Sequence, residues 1–143
     1  MKFRSSGICV YKTIDIYSDV EILLIRPKGH SEFSFIKGKI EQNETEEETA
    51  LRESIEETNI SFEIKHLEQR FYQCNKQKNI SIFIIDICNV NLNNIILQEK
   101  EVQEIKFFKL TDDIDINKNQ KDILTQIRNK LILRFNTWRN FYV

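Results

Sequence analysis

The sequence predicts an α/β sandwich, a mixed β-sheet held between two helices. Short apolar runs rich in Ile and Val recur along the chain, one stretch of Glu, Ala, Leu and Arg interrupts them, and the last segment places apolar residues at helical spacing. With 3 Gly and 1 Pro in 143 residues there is no Gly- or Pro-rich linker. The length suits one domain over residues 1–143 with a real core.

Each element has its own signal. Ile8 to Tyr11 and Val20 to Ile25 are β-branched-rich runs parted by polar residues and read as strands. Phe33 and Phe35 alternate about Ser34 and predict a third strand. From Glu44 or Thr45 to about Thr58 the residues favour helix, with Asn43 or Glu44 as the cap ahead of an acidic first turn that suits the helix dipole. Strands return at Ile60 to Ile64, Arg70 to Gln73, Ile80 to Cys88 and Ile105 to Leu110. The Ile80 run is nearly continuous in apolar character, as expected of a strand covered on both faces. Leu124, Ile127, Leu131, Phe135, Trp138 and Tyr142 follow steps of three and four, an amphipathic helix for the other side of the sheet.

The formal charge of −1, 21 Lys plus Arg against 22 Asp plus Glu, argues against a nucleic-acid coat or polybasic membrane anchor, and no DNA-binding motif is present. The sum hides segregation: Glu41 to Glu57 holds eight acidic residues against Arg52 alone, and Asn117 to Val143 holds six Lys or Arg against Asp122. Cys9, Cys74 and Cys88 are odd in number and far apart, which fits neither a disulfide framework nor a zinc knuckle and suits a reducing, cytoplasmic setting. No apolar run is long enough to span a membrane. Cys74 and Cys88 are expected as buried small hydrophobes, and Tyr72 and Phe83 as core aromatics, with the holding of a base as their alternative role. His30 and His66 are isolated and expected at the surface.

On a helical wheel Glu53, Glu56 and Glu57 share an arc of roughly 100°, with Leu51 and Ile55 opposite. One face can pack while the other crowds like charges, each pair costing a few tenths of a kcal/mol, roughly. Hard oxygen ligands so placed are what Mg²⁺ or Mn²⁺ takes. A solvated Glu-rich face is the alternative.

The spacing Gly38, five residues, Glu44, seven residues, Arg52-Glu53, two residues, Glu56-Glu57, two residues, Ile60 resembles the signature of the Nudix hydrolases. The resemblance implies an α/β/α sandwich with a mixed sheet between the signature helix and a C-terminal helix. It further implies Mg²⁺- or Mn²⁺-dependent hydrolysis of a phosphoanhydride bond in a nucleotide substrate. By the same resemblance Glu53, Glu56 and Glu57 match metal ligands, Gly38 the loop glycine at the metal and phosphates, and Arg52 with Glu44 a supporting pair that orients the helix. Glu53, Glu57 and Glu101 are the candidates for catalysis, Glu101 matching a distal glutamate and Glu104 standing behind it. Two positions depart from the pattern. Asn59 replaces a glycine, and Asn is the next best residue for a left-handed helix end. Ser54 stands where an apolar residue is expected, with Ile55 after it, which suggests local repacking or a slightly rotated helix.

Phe33 to Ile40 is similar to the loop of mRNA-decapping subunits and of diadenosine tetraphosphate hydrolases, with Ile36 in place of their proline. Lys37 and Lys39 offer point charges for a substrate with several phosphates. That favours a capped RNA or a dinucleoside polyphosphate; Lys37 weakens the alternative, MutT-type hydrolysis of free nucleoside triphosphates. A non-catalytic binding module of the same fold is the alternative of another class. On the last helix Lys121, Arg128 and Arg139 line one edge of the apolar stripe, with Lys130 and Arg134 on the other. Their stems can cover the stripe, or the edge can form a basic track for RNA with Trp138 or Tyr142 for stacking.

Overall fold

The computed structural model describes residues 3–13, 20–89 and 101–142, with side chains for all of these but 89 and 134–142. The six strands are β1 (Phe3–Thr13), β2 (Val20–Pro27), β3 (Ile36–Lys39), β4 (Arg70–Cys74), β5 (Lys78–Asp86) and β6 (Val102–Lys109). They form one mixed sheet in the order β4-β5-β1-β2-β6, with β3 paired to β1 off that path. β1 runs parallel to β5 and antiparallel to β2 and β3.

Alternation along β1 directs Ile8 and Val10 to one core and Cys9 and Tyr11 to the other. Helix α1 (Glu46–Thr58) supplies Ala50 to the first; helix α2 (Lys121–Tyr142) supplies Ile123, Leu124, Ile127 and Leu131 to the second. β5 serves both, with Ile82 and Ile84 toward α2 and Phe83 and Ile85 toward α1, which explains its unbroken apolar run. Each such side chain contributes about 1.5–3 kcal/mol by leaving water. Among the described residues no helix is long and apolar enough to cross a membrane.

Several local expectations give way to stronger constraints. The third strand lies at Ile36–Lys39, not at Phe33 to Phe35; Phe33 and Ser34 make only isolated bridges, to Ile116 and Ile25. β3 can close on β1 because position 7 is glycine: a Cβ there would fall on the Ile36 carbonyl and Lys37. Ile60 to Ile64 is not a strand. Ile60 and Phe62 are buried beside α1, and the segment ends in a 3₁₀ turn over Ile64–His66. Cys74 and Cys88 are exposed, because one ends the edge strand β4 and the other lies in the turn after β5; Cys9 alone is buried. Phe83 is core, whereas Tyr72 faces out from the edge strand beneath the Arg70 guanidinium.

The cap of α1 is Thr45 rather than Asn43 or Glu44. Thr45 Oγ1 accepts from Glu48 N at 3.1 Å while Glu48 Oε1 accepts from Thr45 N at 3.1 Å, a reciprocal capping box. At the other end Asn59 takes the left-handed conformation with φ 59°, and its N–H bonds Ile55 O at 2.9 Å. Ser54 is fully buried and donates to Ile60 O at 2.8 Å, so it fills the expected apolar position with a satisfied hydroxyl. Ile55 is the exposed one, at 45%.

Asn59→Gly should leave the urea midpoint nearly unchanged, whereas Asn59→Val, which opposes positive φ, should cost about 1–2 kcal/mol. Thr45→Ala should cost about 1 kcal/mol in the same assay.

Candidate active site

The side chains singled out by spacing converge from four segments. Helix α1 carries Glu53, Glu56 and Glu57; β3 carries Lys37, Gly38 and Lys39; the turn ahead of α1 carries Glu44; and Glu101 stands at the start of β6. The register of β2 with β6 brings the last in, since Pro27 pairs with Val102 and Lys28 N bonds Glu101 O at 2.9 Å.

The carboxylates do not lie on a solvated face. Glu53 and Glu57 are 9% and 7% exposed, and only Glu56 and Glu101 are open to water. Gly38 makes that burial possible: a Cβ there would fall on the Glu53 carboxylate. Lys37 N donates to Glu57 Oε1 at 3.1 Å and fixes the second carboxyl to β3. Burial first, then the neighbouring Glu53 and the more distant Glu101, push the Glu57 carboxyl up to about 8. Glu53 is shifted upward as well, by burial and by Glu56 and Glu101, against the pull of Arg52. Glu101 therefore lies near enough for its charge to act on both. Glu104, the second candidate, has its carboxylate on Arg26 Nε at 3.3 Å instead.

Arg52 organises the turn and the helix together. Its Nε and Nη2 grip Glu44 at 2.7 and 2.9 Å, Nη2 also donates to Lys39 O at 3.0 Å, and Nη1 donates to Glu53 Oε1 at 2.9 Å and Glu56 Oε2 at 3.1 Å. Glu44 accepts further from Thr49 Oγ1 and Glu41 N, and the Arg52 fork holds its carboxyl down at about 2. Among the described residues no three His, Cys, Asp or Glu side chains close on one point in this arrangement. Two of the four carboxylates that could do so are turned onto Nη1. The donor set, oxygen throughout and excess in negative charge, fits a hard divalent cation once those two turn from the guanidinium.

Lys37 is half-buried. Burial and nearby Lys78 lower its ammonium pKa, against the charges of Glu57 and Glu53. Lys39 is exposed, its Nζ 5.6 Å from the Phe3 ring centroid. Of the basic edge on α2, Lys121 is exposed, but Arg128 is committed to the turn after β6: Nε donates to Leu110 O at 2.9 Å and Nη2 to Asp112 O at 2.7 Å. The side chains of Arg134, Phe135, Trp138, Arg139 and Tyr142 lie outside the described residues. Lys78 escaped sequence reading, because only strand register brings it toward Lys37.

A mixed sheet between two helices, with buried carboxylates of one helix facing a lysine- and glycine-bearing strand, is the architecture that the signature spacing implied. The chain belongs to the Nudix family: the family model described as NUDIX domain matches residues 10–127. It is an enzyme of that family's hydrolase type, acting on pyrophosphate bonds. Among solved structures it is similar to a C. elegans Ap4A hydrolase binary complex, with TM-score 0.70 and 21% identity over 91% of this chain and 98% of that one. It is also similar to the MutT structure from Aliivibrio salmonicida and Vibrio cholerae, with TM-score 0.69 and 16% identity over 91% and 99%. A third is the NUDIX domain of Shewanella oneidensis NrtR complexed with ADP ribose, with TM-score 0.68 and 16% identity over 92% and 89%. No curated protein sequence matches the chain.

The raised Glu57 carboxyl sets a pH dependence. Below pH 4.5 it is protonated in both folded and unfolded chains; between 4.5 and about 8 the unfolded chain ionises while the folded one resists. In chelator, stability contributed by this group should therefore fall as pH rises through that window. Glu57→Gln should reduce the slope to the part that the likewise raised Glu53 carries and stabilise the ion-free protein at pH 8 by about 2–4 kcal/mol, read from urea midpoints at pH 4.5, 6 and 8.

Proposed function

We propose that this chain cleaves, with Mg²⁺ or Mn²⁺, a phosphoanhydride bond in a nucleoside diphosphate linked to another group, a dinucleoside polyphosphate or a 5′ cap. The observation that carries the reading is the buried pair Glu53 and Glu57 beside Lys37. Burying like charges is costly, and their arrangement becomes favourable only with a cation between them and an anion beyond. Glu53, Glu56, Glu57 and the Gly38 carbonyl are the groups that would hold the cation. Bound there, it supplies neutralisation of phosphate oxygens and a lowered pKa for attacking water.

The chain's own residues do the rest. Glu57, fixed by the Lys37 N–H, is a positioned ligand, while Glu101, exposed on the rim, is left to accept the proton of the attacking water. Lys37 and Lys39 balance phosphate charge as it shifts to the leaving group. Arg52 and Glu44 keep the helix and the preceding turn in register without touching substrate. The similarity to the Ap4A hydrolase and the Phe33 to Ile40 loop support a substrate with several phosphates.

Product analysis with Mg²⁺ or Mn²⁺ over diadenosine tetraphosphate, capped RNA and nucleoside triphosphates tests this. Turnover of one of the first two is expected, with Glu57→Gln and Glu101→Gln each lowering kcat by about 10²-fold or more. Lys37→Ala should raise KM most for the substrate with most phosphates. A wild-type protein that turns over none of the three would end the hydrolase reading.

A further inference from the structure

One edge of β1 serves two partners: residues 5–8 pair with β3 and residues 11–13 with β2. The chain entering β3 makes the same change of partner. Ser34 still exchanges both backbone bonds with Ile25 of β2, at 2.9 and 2.7 Å, whereas Ile36 already pairs with Ile8 of β1. Phe35 stands at the fork between them, its ring in the α2-side core while Ile36 faces the α1 side. A backbone N–H buried there without a partner would carry the cost of a lost hydrogen bond.

A side chain from the α2 side fills the fork. Gln120, the last residue of the 3₁₀ turn leading into α2, is 2% exposed. Its Oε1 accepts from Phe35 N at 2.9 Å, its Nε2 donates to Ser34 Oγ at 3.0 Å, and Ser34 Oγ donates to Phe35 O at 2.7 Å. All three bonds are buried, and together they satisfy both backbone groups of Phe35. The turn itself is fixed to the same stretch: Phe33 N donates to Asp115 O at 2.7 Å and Asn117 N to Phe33 O at 2.9 Å, while Asn117 Oδ1 caps Asn119 N.

In an extended chain, N–H groups two residues apart point to the same edge, roughly 7 Å from one another. The N–H groups of Phe35 and Lys37 therefore share the edge that β3 turns away from β1. Gln120 takes the first and Glu57 the second, the latter at 3.1 Å. With 4 residues in β3, pairing to β1 alone guards weakly against a twist or slip. Any shift at Phe35 passes to Lys37 and then to Gly38, which lies so close to the Glu53 carboxylate that no Cβ would fit. We infer that Gln120 is a positioning residue of the hydrolytic site: from the α2 side of the sheet it fixes the placement at which Lys37 and Gly38 meet Glu57 and Glu53. This role rests on the hydrolase reading above, and in it Gln120 touches no substrate.

Gln120→Met keeps the side chain's length and removes both of its hydrogen bonds. Ser34→Ala, the milder variant, removes the hydroxyl alone. Leu131→Val thins the same core roughly 16 Å further along, by helical rise, and is the control. In EDTA, Gln120→Met should move the Lys37 amide resonance and speed its hydrogen exchange at least tenfold, with the amides of β5 unmoved. With Mg²⁺, and diadenosine tetraphosphate or capped RNA according to which the wild type cleaves, it should lower kcat about tenfold and change KM by less than about twofold. The split arises because the Lys37 ammonium on its flexible stem still reaches phosphate, whereas the backbone of β3 cannot compensate. Ser34→Ala should move both readouts the same way by less, and it decides the matter if Gln120→Met does not fold. Leu131→Val should lower the urea midpoint and move neither. An unmoved Lys37 amide, an unchanged kcat in folded Gln120→Met, or equal effects from Leu131→Val would each overturn the proposal. A wild type that cleaves nothing, with a Lys37 amide that still answers to Gln120→Met, would end the hydrolase reading and leave the hold of Gln120 on β3 in place.

Discussion

The grip of Arg52 on Glu44 is the interaction on which the rest of the site depends. Two charge-assisted bonds tie the middle of α1 to the turn that precedes it, and the same guanidinium reaches Lys39 O on β3. One side chain thereby fixes the helix against the strand that carries Lys37 and Gly38. Without it, α1 would still have its Thr45 capping box, Ala50 in the core and the Lys37 N–H bond to Glu57, but Glu53 would lose the guanidinium that holds its carboxylate beside Gly38. That closeness leaves no room for a Cβ between them.

The sheet supplies what a helix alone cannot. Residues 53, 56 and 57 come together by helical spacing, whereas Glu101 arrives by the pairing of β2 with β6 and Lys37 by the pairing of β3 with β1. Both pairings rest on β1 and its neighbours, whose two faces are each sealed by a helix. A rigid, doubly covered sheet lets an exposed rim residue such as Glu101 be placed electrostatically against buried carboxylates almost fifty positions away.

What the sequence disclosed follows a physical division. Elements with long, consistent patterns were legible: β5 by its two-sided apolar run, α2 by its apolar steps, α1 by composition and the spacing of its glutamates. Short elements governed by tertiary pairing were not. Phe33 to Phe35 has strand alternation, yet the chain pairs three residues later, where Gly7 permits close approach. Ile60 to Ile64 has strand composition but finds its burial against α1 with no partner strand. The wheel placed the three glutamates together correctly and their environment wrongly. It assigned burial to Leu51 and Ile55 by hydrophobicity; Leu51 packs at the margin of the core and Ile55 is exposed, whereas Ala50, Ser54, Glu53 and Glu57 are the buried ones. Small and polar residues take the buried face because β3 approaches too closely for large apolar ones. Arg128 likewise looked like a surface charge, since backbone carbonyls that attract it are invisible to composition.

The turn ahead of α1 and the helix itself hold two glutamates at opposite extremes, and the contrast explains the division of labour. Glu44 and Glu57 are thirteen residues apart in sequence and share access to cationic partners, but Glu44 receives its cation from within the chain. Its lone pairs are filled by Arg52, Thr49 and Glu41 N, and its carboxyl is held down at about 2. Glu57 receives one backbone N–H and two like-charged neighbours, and its carboxyl rises to about 8. A carboxylate satisfied internally has no remaining affinity for an ion, so it is structural. One left dehydrated and repelled gains most from an ion, so the cost carried by the ion-free fold is the driving force for loading it. Arg52 stands between these regimes: two of its nitrogens belong to the permanent pair with Glu44, and the third rests on Glu53 and Glu56, where it occupies oxygens that a divalent cation would claim.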